Sequence, residues 1–339
     1  MHRREFLEVA IVAPLAPRKE NLPPPAASVA NTVLGPLDPN LLGSTLMHEH
    51  VLVDFIGADK VSTSRYNLDE VYTKALPHLK QLYLVGGRTL VECTPAYIGR
   101  NPSLLASLSK VAGLNVVTNT GYYGAAEDKF VPKHAYQEPA EQLAKRWIQE
   151  FEAGIEGSGI RPGIIKVGVD PGKLSEIDAK LVWAAALTHL KTGLTIASHT
   201  GDGVAAMQQL ALLEKAGVRG DAFIWVHAQN ESQLELHLHA AQKGCWVEFD
   251  GIGESSLDTH VKLVRNMAKR GLLGQTLVSQ DSGWYHVGEP NGGEYRGYSF
   301  LHSHFLPELL KQGFSEADLQ TLMVENPKRV LTLRVRASD

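Results

Sequence analysis

Eight short apolar runs recur along the chain, and the segments between them are long enough to form helices. The runs are rich in β-branched and other apolar residues, which favours buried β-strands. They cover residues 45–55, 89–95, 115–123, 163–170, 195–201, 222–228, 245–253 and 276–284. Strands that alternate with helices form parallel sheets. Eight such units in about 300 residues predict a single (β/α)8 TIM barrel of the α/β class, with a doubly wound open sheet as the alternative.

One of the connecting segments is a clear helix, and another is a long loop. Residues 173–193 have the apolar spacing of an amphipathic helix that ends at Gly193. Residues 121–139 are long for a connection between a strand and a helix, so we expect an active-site loop there. Because no change of composition divides the folded part, residues 32–339 are predicted to form one domain.

The N-terminal segment, residues 1–31, has a different character. Arg3 and Arg4 precede a short apolar run that ends in small residues, which resembles a twin-arginine export signal. Glu8 and Pro14 interrupt the run, so a disordered arm on a cytoplasmic protein is the alternative. The proline-rich stretch that follows is typical of a linker. Folded structure is expected from Thr32. An export signal would place the protein in the periplasm, and the alternative would place it in the cytoplasm.

Composition and charge argue against several classes of protein. The chain has 339 residues, of which 44% are hydrophobic and 21% charged, and its formal net charge is -4. No basic face for nucleic acid is expected from this balance. No apolar run is long enough to span a bilayer. Two cysteines, Cys93 and Cys245, cannot build a disulfide framework, and both are expected to be small buried residues.

Coordinating side chains stand at the ends of several runs, where the top face of a barrel would lie. His48 and His50 are two residues apart on a strand, so both project to the same side and can share one divalent ion. Two satisfied core histidines are the alternative. His199 and His227 end the fifth and sixth runs. Asp281 ends the eighth, where it could instead cap a helix.

Lys166 is the least expected residue of the fourth run. A buried ammonium group beside metal ions is repelled, which lowers its pKa. A neutral amine can add carbon dioxide and become a carbamate, an oxygen ligand equivalent to a carboxylate. The alternative, a lysine that reaches the barrel rim, fits the flanking isoleucine and valine poorly. Glu49 is expected to point away from its two histidine neighbours, to a helix or to a partner of a ligand.

The motifs GSTLMHEH, GIIKVGVD, ASHTGDG, WVHAQNE and VSQDSGW resemble, in order and spacing, those of the phosphotriesterase family of the amidohydrolase superfamily. The resemblance covers roughly residues 31–333 and implies a binuclear metal centre. The implied ligands are His48, His50 and Asp281 for the inner ion, His199 and His227 for the outer ion, and a carbamylated Lys166 between them. These ligands suit zinc, and manganese, cobalt or iron also fit.

The family resemblance also implies the chemistry. A hydroxide held between the ions would attack a lactone, a carboxyl ester or a phosphotriester, and Asp281 would accept its proton. The chain contains no GxSxG motif, which argues against a serine nucleophile. The alternatives are an amide or ring C–N hydrolase of the superfamily and a non-catalytic metal-binding member. The predicted partner is a small ester or lactone, and the family makes a homodimer plausible.

The seventh run departs from the family pattern. Asp250 is followed by Gly251, where well-studied members carry a basic residue. We expect Asp250 to form a proton relay with Asp281, or to cap the loop.

Five residues are predicted to line the substrate pocket or to bind the substrate. Tyr123 and Trp284 could supply walls of the pocket, as could Tyr122 and Tyr285. Arg100 could bind an anionic group, with a surface salt bridge as the alternative.

Six further histidines are predicted to lie outside the site. They are His237, His239, His302 and His304, expected to have no function, and His189 and His260, expected on helix surfaces.

Overall fold

The computed structural model describes residues 28–338, so the twin-arginine motif and the linker lie outside the described residues. Eight parallel strands form the barrel, and each falls within one of the eight predicted runs. The strands are β1 (Thr45–Glu49), β2 (Thr89–Glu92), β3 (Asn115–Val117), β4 (Ile164–Val169), β5 (Thr195–Thr200), β6 (Phe223–Val226), β7 (Trp246–Phe249) and β8 (Thr276–Val278). The predicted (β/α)8 barrel is therefore confirmed.

The strands pair in chain order. β1, β2 and β3 form one parallel ladder. The third strand resumes after Thr118 as Asn119–Thr120, which pairs with β4 and begins the ladder that runs to β8.

The barrel closes between β8 and β1 through contacts at the carboxyl ends of both strands. The backbone N–H of His48 donates to Ser279 Oγ at 2.9 Å. The N–H of Asp281 donates to the His48 carbonyl at 3.1 Å, and the N–H of His50 to the Ser282 carbonyl at 2.9 Å. This closure brings the predicted ligand of the eighth strand beside the two histidines of the first.

Helices cover the outside of the barrel. They are α1 (Leu68–Leu84), α2 (Pro102–Ala112), α3 (Lys133–Gln137), α4 (Ala140–Ala153), α5 (Glu176–Thr192), α6 (Gly203–Lys215), α7 (Leu234–Gln242) and α8 (Leu257–Lys269). Helical segments follow at Leu301–Phe305, Leu306–Lys311, Glu316–Gln320, Thr321–Glu325 and Asn326–Leu331. None of the helices in residues 28–338 combines the length and apolarity needed to cross a membrane.

Helix α5 matches the predicted helix in detail. A capping box between Ser175 and Asp178 begins it, because each side chain accepts a hydrogen bond from the other residue's backbone N–H. Gly193 ends it in the left-handed conformation, with a φ of 74°.

The interior of the barrel changes character along its axis. A cluster of buried apolar side chains that includes Met47, Val91, Ile164 and Trp246 fills part of the core. Both cysteines are buried and unpaired, as predicted. The ionisable residues lie toward the carboxyl ends of the strands. There they share a cavity of about 330 Å³.

The first described strand, Ala30–Thr32, forms a short hairpin with Gly35–Leu37. It begins two residues before the predicted domain start at Thr32.

Candidate metal centre

The two histidines of β1 turn their Nε2 atoms toward each other, 3.2 Å apart. His48 Nδ1 lies 3.1 Å from Asp250 Oδ2, and a carboxylate can only accept the hydrogen. His50 Nδ1 lies 2.8 Å from Thr94 Oγ1, whose own hydrogen is donated to Glu92 or to the Leu52 carbonyl. Both Nδ1 atoms are therefore donors, and the two Nε2 lone pairs face one another.

Asp281 brings a carboxylate oxygen close to these two Nε2 atoms. Its Oδ1 lies 3.3 Å from His50 Nε2 and 3.8 Å from His48 Nε2. Within residues 28–338 this buried oxygen has no hydrogen-bond partner. Buried acceptors that converge without a donor are costly, and a divalent cation bound between them would offset that cost. The donor set therefore fits a metal ion.

The other predicted ligands lie against this group. The ring centroids of His199 and His227 are 4.4 Å apart, and those of His48 and His227 are 4.9 Å apart. Lys166 is only 1% exposed, and within the described residues its Nζ has one hydrogen bond, a 3.5 Å contact with the Val167 carbonyl. All six predicted ligands line one cavity. The structure therefore brings together residues from β1, β4, β5, β6 and β8.

Burial favours the neutral form of most of these groups. It lowers the pKa of His48 to about 4, and it also lowers the pKa of His50 and of Lys166. The pKa of His199 lies well below its usual value for the same reason. Burial would lower the pKa of His227 too, but the adjacent carboxylate of Asp250 outweighs it and raises this pKa. Neutral imidazole and neutral amine are the forms that can bind a metal or carbon dioxide.

Asp250 is hydrogen-bonded to the Nδ1 atoms of two of the histidines, on the side of each ring away from Nε2. Its carboxylate accepts hydrogen bonds from His48 Nδ1 at 3.1 Å, from His227 Nδ1 at 2.6 Å and from the His227 backbone N–H at 2.9 Å. Gln229 Nε2 donates to it at 2.8 Å. Its contacts are thus with two imidazoles rather than with Asp281, which differs from the expected proton relay. Asp250 orients ligands, as carboxylates behind metal-bound histidines commonly do.

Glu49 points away from its two histidine neighbours, as predicted. Its carboxylate accepts hydrogen bonds from Ser279 Oγ at 2.7 Å, from the Gln280 N–H at 3.0 Å and from the Ser282 N–H at 2.7 Å. Burial outweighs these hydrogen bonds and raises the pKa of Glu49 to about 8. The side chain fixes the segment that carries Asp281.

Thr94 and Glu92 also support the site, and sequence reasoning missed both. Thr94 is hydrogen-bonded to His50, and Glu92 is hydrogen-bonded to Thr94. The only sequence signal is that both residues lie at the end of the second run.

Strained backbone also marks the site. His227, Asp281 and Trp284 all have positive φ, at 64°, 50° and 77°. Such angles are uncommon outside glycine and concentrate at functional sites, where the surrounding structure holds them.

The predicted wall residues Tyr123 and Trp284 both line the cavity. The ring of Trp284 packs 4.5 Å from that of His50, and the ring of Tyr123 packs 5.1 Å from that of His199. Further apolar side chains complete the lining, namely Val53, Phe55, Ile98 and Phe130. The loop predicted over residues 121–139 contributes Tyr123 and Phe130.

Three expected substrate residues lie elsewhere. Arg100 is buried, and its guanidinium donates to Glu150 at 2.7 and 2.8 Å and to Glu156 at 3.2 Å. Because two carboxylates already neutralise it outside the cavity, this placement differs from the expected role in binding a substrate anion. Tyr122 lines a separate cavity with Arg100. The Tyr285 hydroxyl donates to Glu70.

None of the six other histidines lines the cavity. The expectation of surface positions was wrong for His189 and His260, which are 0% and 2% exposed. Their helix faces turn inward, and His189 Nδ1 donates to the Leu194 carbonyl while His260 Nδ1 donates to the Ser256 carbonyl. A backbone acceptor of this kind satisfies a buried imidazole, and apolar spacing alone does not reveal it.

Three of the four remaining histidines of the predicted set have structural contacts, and the fourth, His239, is exposed. His302 pairs with Ser44 at 2.8 Å, and His237 Nε2 lies 2.7 Å from the Ala228 carbonyl. His304 stacks on Phe300.

The fold and the convergent ligands define a barrel protein with a candidate metal centre at the carboxyl ends of its strands. Comparison with known proteins gives the family. The model of the phosphotriesterase family matches residues 28–331, and the chain belongs to this family. The family is hydrolase-like and depends on a binuclear metal centre.

Individual relatives are similar over most of their length. The phosphotriesterase homology protein of Escherichia coli K12 is 33% identical over 291 residues, which cover 85% of this chain and 97% of that protein. The N-acetyltaurine hydrolase of Homo sapiens is 27% identical over 350 residues, covering 89% and 97%. A mutant organophosphorus hydrolase of Deinococcus radiodurans is a similar solved structure, with a TM-score of 0.82 and 25% identity, covering 89% and 97%.

A second similar structure comes from engineering of organophosphate hydrolysis on a weak promiscuous lactonase template. It has a TM-score of 0.81 and 25% identity, and the match covers 89% of this chain and 99% of that chain.

Proposed function

We propose that this protein is a hydrolase with two divalent metal ions that cleaves a lactone or carboxyl ester, with phosphotriesters as secondary substrates. The observation that carries the proposal is the convergence of six ligand side chains in one partly apolar cavity. A metal centre alone could be structural, but structural sites are closed. This one faces a cavity of about 330 Å³, which has room for a small substrate.

The ligands divide into two sets. His48, His50 and Asp281 would hold one ion, and His199 and His227 the other, with Lys166 between the sets. Zinc suits these ligands best, and manganese, cobalt or iron are the alternatives. When bound, the ions supply a water of lowered pKa and polarise the substrate's carbonyl or phosphoryl oxygen.

Asp281 has the position and charge of a proton acceptor. Its carboxylate would lie beside a water held by the ions and could take a proton from that water. Asp250 and Thr94 keep the histidines oriented, while Tyr123 and Trp284 limit the entry of solvent.

Lys166 completes the centre as a carbamate. Its neutral amine attacks carbon dioxide, a nitrogen–carbon bond forms, and one N–H proton is released to solvent. The product carries a negative charge and two oxygen atoms. It replaces a buried amine by an anionic ligand able to bind two cations.

A second candidate function is the hydrolysis of an amide. The human relative with 27% identity is an N-acetyltaurine hydrolase, and a protein of the same name in Rattus norvegicus is 26% identical over 347 residues. The same metal-assisted attack serves esters and amides, and an amide requires in addition that the leaving nitrogen be protonated. A non-catalytic metal-binding protein is the less favoured reading, because no predicted ligand is missing.

Proton release from the zinc- or manganese-loaded protein tests the proposal. The substrate panel holds simple lactones, acyl-homoserine lactones, phosphorylated sugar lactones, an aryl phosphotriester and N-acyl amino acids or amino sulfonates. We expect lactone or ester turnover well above that of the phosphotriester. Turnover confined to amides would replace the proposal by the second candidate. No turnover with two ions bound would contradict both.

The Asp281→Asn variant provides the matched control. Asparagine keeps the size of the side chain and loses the proton acceptor. We expect turnover to fall by two orders of magnitude or more, and near-normal turnover would remove Asp281 from the proton-transfer role.

A further inference from the structure

A strained turn lies in the long loop that covers the cavity. Ala126, Glu127 and Asp128 have φ angles of 63°, 53° and 59°, so three consecutive non-glycine residues adopt the left-handed conformation. Left-handed backbone costs roughly 1–2 kcal/mol for each such residue. A run of three therefore needs support from its surroundings.

Asp170 gives that support. Its Oδ1 accepts a hydrogen bond from the Ala126 N–H at 2.8 Å, and its Oδ2 accepts one from the Glu127 N–H at 3.0 Å. Asp170 directly follows β4, the strand that carries Lys166. The turn is thus fastened to the strand at the centre of the metal site.

The same turn is fastened on its other side. The N–H of Ala58 donates to the Lys129 carbonyl at 3.1 Å, and the N–H of Lys129 donates to the Ala126 carbonyl at 3.3 Å. These bonds fix the backbone of the residue that follows the strained turn. Lys129 and Phe130 both line the metal cavity.

Lys129 is the unusual member of that lining. Its Nζ lies 5.5 Å from the centroid of the Phe130 ring. The Phe130 ring packs 5.9 Å from Tyr123, which in turn contacts His199. Aromatic rings therefore separate the ammonium group from the metal ligands.

Lys129 also lacks an acidic partner. Among residues 28–338 it joins no ion pair with a nitrogen–oxygen distance of 4.0 Å or less. Lys133, four residues further on, pairs with Asp59 at 2.8 Å. Lys129 is itself exposed at the cavity, so its charge is open to an incoming anion, and its attraction is the modest one of a solvated cation.

We propose that Lys129 binds an anionic group on the substrate, of which a terminal carboxylate is the simplest example, at the end remote from the scissile bond. This inference rests on the proposed hydrolase function and adds the substrate class, namely an ester, lactone or amide whose acyl chain ends in a negative charge. The strained turn serves to present the lysine to that charge.

Two esters that differ only in the charge test the inference. The mono-4-nitrophenyl ester of glutaric acid and 4-nitrophenyl pentanoate have acyl chains of equal length, and only the first ends in a carboxylate. With the metal-loaded protein we expect kcat/KM to favour the glutarate ester by roughly two- to fivefold, the factor for one exposed ion pair. The preference should fall as sodium chloride is raised.

Variants assign the preference to its residue. Lys129→Met should bring the ratio of kcat/KM for the two esters to about one, and Lys129→Arg should keep most of the preference for the glutarate ester. Lys133→Met, which removes an exposed lysine of the same loop, should leave the ratio unchanged. An equal ratio in the wild type and Lys129→Met would overturn the inference while leaving the hydrolase proposal intact.

Binding without turnover separates the two proposals. Calorimetric titration of the metal-loaded protein compares glutarate with pentanoate. Both ligands have one carboxylate that can bind the metal centre, and only glutarate has a second one for Lys129. Tighter binding of glutarate that Lys129→Met removes would support the inference even if neither ester is hydrolysed. Equal affinities in wild type and variant would overturn it.

Discussion

Asp250 illustrates how a residue that touches neither solvent nor substrate shapes the site. Its carboxylate contacts two imidazoles, and its pKa lies well below the usual range because His227 and His48 outweigh the effect of burial. The carboxylate fixes the hydrogen on Nδ1 of both rings and so leaves both Nε2 atoms as metal donors.

The Asp250→Asn variant tests this role. The amide can accept one of the two ring hydrogens, but its NH2 group would meet the other ring as a second donor. We expect metal affinity to fall by roughly 10- to 100-fold, the usual cost of losing such a partner. Competition with a chelator of known affinity measures it. Asp221→Asn, at a carboxylate remote from the cavity, is the control, and equal affinities in both variants would contradict the role.

Lys166→Met addresses the carbamate directly. Methionine keeps much of the lysine's length but cannot add carbon dioxide. Metal-loaded wild type incubated with 13C-bicarbonate should give a carbamate carbon signal in its NMR spectrum, and the variant should lack it. The variant should also bind the second ion more weakly. A wild-type protein with two ions and no such signal would refute the carbamate while leaving the metal centre in place.

The strands and helices were predicted well from the sequence. The eight strands were found because buried parallel strands are continuous apolar runs. Helix α5 was bounded correctly at Gly193 because a left-handed C-cap favours glycine. The contacts of Thr94 with His50 and of Asp250 with His48 and His227 could not be predicted, because they join residues that are far apart in sequence and no local pattern encodes such distances.

The capping box of α5 contributes to the stability of the barrel. In Ser175→Ala the Asp178 N–H loses its side-chain acceptor. We expect the free energy of unfolding in urea to fall by about 1 kcal/mol. Ser107→Ala, at an exposed serine within α2 whose hydroxyl bonds back to Ser103, should change it by less than about 0.5 kcal/mol. Equal effects would mean that the cap is not a local source of stability.

At the scale of the whole molecule, a buried arginine ties the C-terminal tail to the barrel. Arg336 is 3% exposed, and its guanidinium donates to the carbonyls of Arg329 and Thr332 and to the hydroxyl of Thr195 on β5. Its backbone N–H donates to His189 Nε2 on α5. Sequence reasoning did not single out this residue, because an arginine near a terminus ordinarily indicates a solvated surface.

Arg336→Met should destabilise the fold without touching the metal centre. Several buried acceptors would lose their donor at once, so we expect the free energy of unfolding to fall by roughly 2–4 kcal/mol. Thermal unfolding followed by circular dichroism measures the change, and metal content reports on the site. Arg270→Met, which removes an exposed side chain, should be nearly neutral. A variant as stable as the wild type would show that the tail docks by other contacts.

The metal centre proposed above has two ligand sets that would hold two ions, one set at the ends of β1 and β8 and the other at the ends of β5 and β6. His199 tests it best, because its ring lies next to His227 and away from the His48, His50 and Asp281 cluster. The first measurement is therefore the metal content of wild type and His199→Asn after loading with zinc and removal of free metal. We expect two ions per chain in the wild type and about one in the variant. One ion or none in the wild type, or two in both, would contradict the binuclear centre described above.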